Sequence, residues 1–203
     1  MERYFKESMG LLQAVLDDRN LLAALERCAA DIADCFARGN KLLIAGNGGS
    51  AADAQHFAAE MVGMYKLDRK ALPALALTVD SSVLTAWSND KSFDTVFARQ
   101  LEAHGKAGDV FVGISTSGNS RNLVEAVRQA RSMGIATICF LGKGGGVLKD
   151  ACDLALVVPS GDTPHIQEVH EMFFHSICEE VERKNAASEA VQTAGASAER
   201  QPA

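Results

Sequence analysis

The chain has 203 residues, 47% of them hydrophobic and 23% charged, with a formal net charge of −6. That length suits one α/β domain with a sizeable core, and the composition is ordinary for a soluble globular protein. The acidic balance argues against a nucleic-acid surface, and no apolar run approaches the ~20 residues needed to span a bilayer.

In chain order, residues 2–38 carry two amphipathic helical patterns. Tyr4, Met9, Leu12 and Val15 mark the first; Leu22, Leu25, Cys28 and Ile32 mark the second. The leading MERYFKESMG is charged and lacks an apolar h-region, so no signal peptide is expected. From Lys41 the character changes. KLLIAG, ALPALALT, DVFVGI, IATICFL and LALVVP read as short strands separated by helical or turn-rich segments. Continuous apolar strands alternating with helices indicate a parallel sheet covered on both faces. The expected fold is α/β: a doubly wound, five-stranded parallel sheet with extra N-terminal helices packed outside it. A last helix is expected from about Thr163 to Lys184, closing a single domain over residues 1–184. The remaining stretch, residues 185–203, reads NAASEAVQTAGASAERQPA and has almost no large apolar group. It is expected to be a disordered tail, because it cannot bury enough surface to offset the entropy of ordering. Cys28, Cys35, Cys139, Cys152 and Cys178 form no C-x-x-C pair. They read as small core residues in a reducing compartment, consistent with a cytoplasmic location.

Ligands of open α/β sheets bind beyond the carboxyl ends of the strands, and two loops qualify. STSGNS, residues 115–120, follows the third strand and offers the hydroxyls of Ser115, Thr116, Ser117 and Ser120 ahead of a helical pattern. Backbone N–H groups at a helix start make an anion site. A plain turn capped by Asn119 or Ser120 would need only one of those hydroxyls, so phosphate binding is the fuller account. GNGGSA at 46–51 imitates a dinucleotide fingerprint, but its first acidic residue after a later strand is Asp80, well past the required spacing. GKGGG at 142–146 lacks the Ser or Thr that a P-loop places after its Lys and reads as a flexible turn.

The charged and imidazole groups follow helical spacing. His56 and Glu60 lie i, i+4, about 40° apart around a helix. Gln167, Glu171 and His175 are spaced four apart as a polar stripe on the last helix. Such a His–Glu pair suits a metal, but by itself it more often marks a solvated surface or a cap. His104, His165 and His170 have no comparable partners and read as structural.

Together AGNGGSAADAQHFAAE, the SND at 88–90, GISTSGNS and HIQEVHEMFFH resemble the sugar-isomerase (SIS) domain family, and within it the phosphoheptose isomerases. The likeness runs from about residue 5 to 184. It implies a flavodoxin-like SIS domain acting on sedoheptulose 7-phosphate, in which Asn47, Gly48, Gly49, Asn89 and Asp90 line the sugar site. It further implies that Ser115, Thr116, Ser117 and Ser120 hold the phosphate, and that His56, Glu60, Gln167 and His175 surround one Zn2+ per subunit. Glu60 and Gln167 also face the substrate, and a homotetramer with active sites near the subunit interfaces is implied. The chemistry would be an aldose–ketose isomerisation through an enediol, with Glu60 as general base and His175 as the partner acid. In the family the product feeds heptose for lipopolysaccharide. The other class to weigh is a SIS-type protein that binds a sugar phosphate, or a protein partner in replication initiation, without catalysis. A pure binder would need only the two loops, so Glu60, Gln167 and His175 favour the enzyme.

Overall fold

Strands β1 (Leu42–Gly46) and β3 (Val110–Ser115) are buried at every residue, and β4 (Ala136–Leu141) at all but its first. Strands of that kind need cover on both faces. The structure, a computed structural model, describes residues 1–198, with side chains as far as Ala186. It satisfies the demand with a five-stranded parallel sheet in the order β2-β1-β3-β4-β5, where β2 is Ala74–Ala76 and β5 is Leu154–Val157. The register sets Ile44 beside Val112 and Val112 beside Ile138.

Alternate residues face opposite layers, as the two-residue period of a strand requires. Leu42, Ile44, Val112, Ile114 and Phe140 lie in the core under α2 (Arg19–Ala37), α3 (Gly49–Val62) and α8 (Thr163–Ala198). Leu43, Ala45, Phe111, Cys139 and Leu141 lie in the second core, under α5 (Val96–His104) and α6 (Arg121–Ser132). Two shorter helices, α4 (Ser81–Asp90) and α7 (Leu148–Ala151), complete the set with a 3-10 turn at Phe93–Thr95. The two N-terminal helices differ in kind. Helix α2 is a covering helix with Cys28, Ile32 and Cys35 fully buried, whereas α1 (Glu2–Asp17) buries only Val15. Asp18 separates them and caps α2, accepting the N–H groups of Asn20 and Leu21.

The last helix does not end near Lys184 as expected: the backbone of α8 runs on to Ala198. Extending a helix already fixed by packing avoids the cost of nucleation, and the Ala, Glu and Gln of this stretch have high helix propensity. The part of the expected tail at 199–203 lies outside the described residues.

One clasp ties α8 to the segment after α3. Glu182, 1% exposed, accepts the backbone N–H groups of Tyr65, Lys66 and Leu67 at 2.8, 2.8 and 3.0 Å. Arg69, 6% exposed, donates Nε–H to the same carboxylate at 2.9 Å and spreads its other donors over the carbonyls of Glu60 and Met61. Burial works to raise the pKa of Glu182, but the three N–H groups and Arg69 outweigh it and hold the carboxyl below the usual range. Glu182→Ala leaves the buried guanidinium unpaired and should lower stability by about 3–5 kcal/mol at pH 7, read from urea unfolding. A depressed carboxyl pKa stabilises above its unfolded value of ~4.3 and ceases to do so as pH falls through the folded one. The gap between wild type and variant should therefore narrow in acid, and a gap independent of pH would show that the carboxylate's charge is not what stabilises.

Candidate active site

The order β2-β1-β3 sends the chain to opposite sides of the sheet after β1 and after β3, and a crevice opens at such a switch point. Both candidate loops leave from it. Gly48, with φ of +58°, is the N-cap of α3. At Gly49 a Cβ would stand 2.6 Å from Nε2 of Gln167, so glycine is what lets the α8 amide approach the loop. Gln167 donates from Nε2 to Oγ of Ser50 at 3.4 Å. Asn47 and Asn122 exchange amide hydrogen bonds at 3.0 and 2.8 Å, which joins the GNGGS loop to the first turn of α6.

In the second loop the Ser115 hydroxyl accepts the N–H of Gly118 and lies 3.1 Å from that of Ser120. Ser117 Oγ accepts the N–H of Asn119 at 3.2 Å. Ser120 is the N-cap of α6 but makes no capping bond through its side chain. The Leu123 N–H donates to the Ser120 carbonyl at 3.0 Å, which leaves the first-turn N–H groups of Arg121 and Asn122 to face an anion. Gly118, φ +67°, packs so tightly on the carbonyl of Gly145 that no Cβ would fit. The GKGGG stretch thus braces the loop, which corrects its reading as a free turn. Just beyond it, Leu148 N–H donates to Gly118 O at 3.0 Å and Val147 N–H to Asn119 Oδ1 at 3.1 Å. A depression of about 480 Å³, lined by Asp94, Asn119, Arg121, Val124, Glu125 and Val147, opens beside it. Asn89 and Asp90 end α4, where the Asn89 amide donates to the Asp90 carboxylate at 2.9 Å; both are exposed. Arg121, 3.8 Å from Asp94, brings the segment after Asp90 alongside the loop.

The imidazoles gather at the seam of α3 and α8. His56 Nε2 is 3.1 Å from Oε1 of Glu60, and its Nδ1 is 3.6 Å from Oε1 of Glu171. The rings of His56 and His175 lie 5.0 Å apart, and Tyr65 stacks on His175 at 5.5 Å. Ligand atoms of His56, Glu171 and His175 fall within 4.8 Å of one another. Two imidazoles and a carboxylate are donors that zinc accepts. Of the four expected ligands, the structure thus brings His56 and His175 into one group, with Glu60 hydrogen-bonded to His56 and Gln167 turned to Ser50. Glu171 belongs to that group and was not among the expected ligands. Its signal was present in the four-residue spacing from Gln167 to His175. Asp53, a turn before His56, has a buried Oδ2 without a hydrogen bond; burial, then the charge of Glu171, push its pKa up to about 6 against the pull of His56. Elsewhere Asp80 caps α4 through the N–H of Val83, which leaves the dinucleotide fingerprint without its acidic partner. His170 is fully buried and bonded through Nε2 to Leu141 O, and burial lowers its pKa to about 4. His165 pairs with Glu168 at the foot of α8.

Comparison with known proteins follows the same lines. The family model of the SIS domain matches residues 3–142. A phosphoheptose isomerase of Citrifermentans bemidjiense is 57% identical over 164 residues, 81% of this chain and 85% of that one. Among solved structures, a phosphoheptose isomerase from Neisseria gonorrhoeae superposes with a TM-score of 0.85 at 43% identity, covering 90% of this chain and 96% of the other. One from Francisella tularensis gives 0.86 at 33% identity, with the same coverage of 90% and 96%. Matched in sequence over most of its length and in fold over nine-tenths of it, the chain belongs to the phosphoheptose isomerases of the SIS domain family.

Proposed function

We propose that this chain interconverts sedoheptulose 7-phosphate and D-glycero-D-manno-heptose 7-phosphate, supplying heptose for lipopolysaccharide precursors in the cytoplasm. What supports this most is the clustering of His56, Glu60, Glu171 and His175 at the α3–α8 seam, with Gln167 linking that seam to the GNGGS loop. An aldose–ketose isomerase must take a proton from the carbon beside the carbonyl and return one to its neighbour. Glu60 serves as the base at carbon, and His175, on the facing helix, moves the proton between the two oxygens. Asn47, Gly48, Gly49, Asn89, Asp90 and Gln167 hold the sugar hydroxyls. Ser115, Thr116, Ser117 and Ser120 hold the phosphate, with the N–H groups of the first turn of α6. Anchoring the far end of an open-chain sugar turns binding energy into orientation at the reacting end.

A zinc ion would be held by His56 and His175 with Glu60 and Gln167, the donor types of the seam, and would polarise the sugar's carbonyl oxygen. A carboxylate bound to a cation would be a weaker base, so Glu60 as base and His175 as proton carrier would act through atoms that the ion leaves free. A homotetramer is supported by Phe5, Met9 and Leu16 on α1, 66%, 69% and 58% exposed, and by exposed Met64 and Met172 beside the seam. Among the described residues no helix is long and apolar enough to cross a membrane.

In deuterated water, the protein should convert sedoheptulose 7-phosphate to an aldoheptose phosphate carrying deuterium at its second carbon, followed by NMR. Absence of product with the phosphate still bound would point to a sensor or partner-binding protein. Glu60→Gln should keep the fold by circular dichroism and lower kcat by about 10²–10⁴-fold; retained turnover would remove Glu60 from the role of base. Thr116→Ala with Ser120→Ala removes two hydrogen bonds to a charged group, each worth ~1.5–3 kcal/mol. KM should rise at least ~10-fold, and an unchanged KM would rule the loop out as the phosphate site.

A further inference from the structure

We propose that Glu171 is a positioning residue of the metal centre: it accepts the Nδ1–H of His56 and so turns Nε2 toward the metal beside Glu60. This rests on the metal assignment made above. The His56 ring is hemmed in on several sides. Phe174 meets it edge-on with centroids 5.1 Å apart, His175 lies 5.0 Å away at 79°, and Glu60 faces Nε2 at 3.1 Å. Ligand atoms ~2.0–2.2 Å from one tetrahedral zinc stand roughly 3.4 Å from each other. The separation of Nε2 from the Glu60 oxygen therefore suits joint ligation as well as it suits a hydrogen bond. With Nε2 on the metal, Nδ1 carries the proton and needs an acceptor.

Two further carboxylates bear on the ring. Asp53 approaches from a turn earlier on α3, but its buried Oδ2 has no hydrogen bond. Glu171 comes from α8, one turn before His175, and its Oε1 stands 3.6 Å from Nδ1. That is longer than an N–H···O bond of ~3 Å, so the proposed bond requires the half-exposed Glu171 side chain to turn toward the ring. A carboxylate on the second nitrogen of a metal-bound imidazole fixes tautomer and ring orientation and raises ligand basicity. Glu171 supplies that partner from the opposite helix, so the orientation of a ligand on α3 depends on the register of α8.

The test uses the full chain, stripped with a chelator and reloaded. Zn2+ affinity is read by competition with a chromophoric chelator, and ligand geometry from the visible spectrum of the Co2+ form. Glu171→Ala should weaken Zn2+ by about 10–100-fold while the Co2+ spectrum keeps its shape. Glu171→Gln, whose amide oxygen still accepts the Nδ1–H, should recover most of the loss. Equal affinity in Glu171→Ala and wild type overturns the proposal. So does an altered Co2+ spectrum in either variant, since that would make Glu171 a ligand. If the wild type takes up no metal, the metal assignment falls, and NMR of protein labelled with 15N-histidine judges Glu171 separately. A His56 Nδ1–H signature that Glu171→Ala abolishes upholds its hold on the ring, and one that is indifferent overturns it.

Discussion

Phe57 and Phe174 stack with centroids 5.4 Å apart and rings 20° from parallel, and that contact sets the spacing of α3 and α8. Both rings are fully buried, and Phe140 of β4 lies 6.3 Å from Phe57, so the stack is pinned to the sheet as well. The residue next to each ring is an imidazole. One step along a helix is a turn of about 100°, which carries His56 and His175 from the apolar seam to its wetter edge. A dry aromatic contact between two helices thus determines how far apart two polar groups can be. Core aromatics of this size contribute well beyond their area when their geometry is right, and here the geometry serves the site too.

At the seam, Asp53, Glu60 and Glu171 surround two imidazoles, and the nearby Arg69 is committed to Glu182. An excess of carboxylate over cation favours a metal ion there. At the other end, the STSGNS loop offers hydroxyls and backbone N–H groups at the start of α6, with positive potential from the helix and no lysine in the loop. A protein of net charge −6 can offer an anion local dipoles of this kind even though Asp94 and Glu125 lie beside the loop, where Arg121 stands 3.8 Å from Asp94.

Much of this was legible in the sequence, and the rest was hidden for definite reasons. Apolar runs such as KLLIAG and DVFVGI name strands because a strand buried on both faces leaves no room for polar residues. Helical spacing put His56 with Glu60, and Gln167 with His175, on common faces. Spacing within one helix cannot say which face of another it meets, so the approach of Glu171 to His56 became visible only once α3 and α8 were packed. The GKGGG turn was misjudged for a similar reason. Its glycines answer to Gly118, more than twenty residues earlier, and local propensity carries no such information. Helix α8 ran past its expected end because a tail poor in apolar groups can still extend a helix that packing has already nucleated.

The clasp at Glu182 shows why stability and chemistry are hard to separate in this fold. Its carboxylate fixes the backbone of Tyr65, Lys66 and Leu67 and orients Arg69 onto the last turn of α3. Tyr65, held in that way, lies flat against His175 with the rings 18° apart. A stacked ring restrains tilting of the imidazole, and the proton transfer proposed for His175 would need its plane kept. Glu182 sits two turns further along α8 than His175, and it reaches that imidazole only by way of the loop after α3. Loosening the clasp would release the backbone that holds Tyr65, and with it the support of the imidazole. The order of the ring that lies against His175 thus depends on a buried carboxylate two turns further along the same helix.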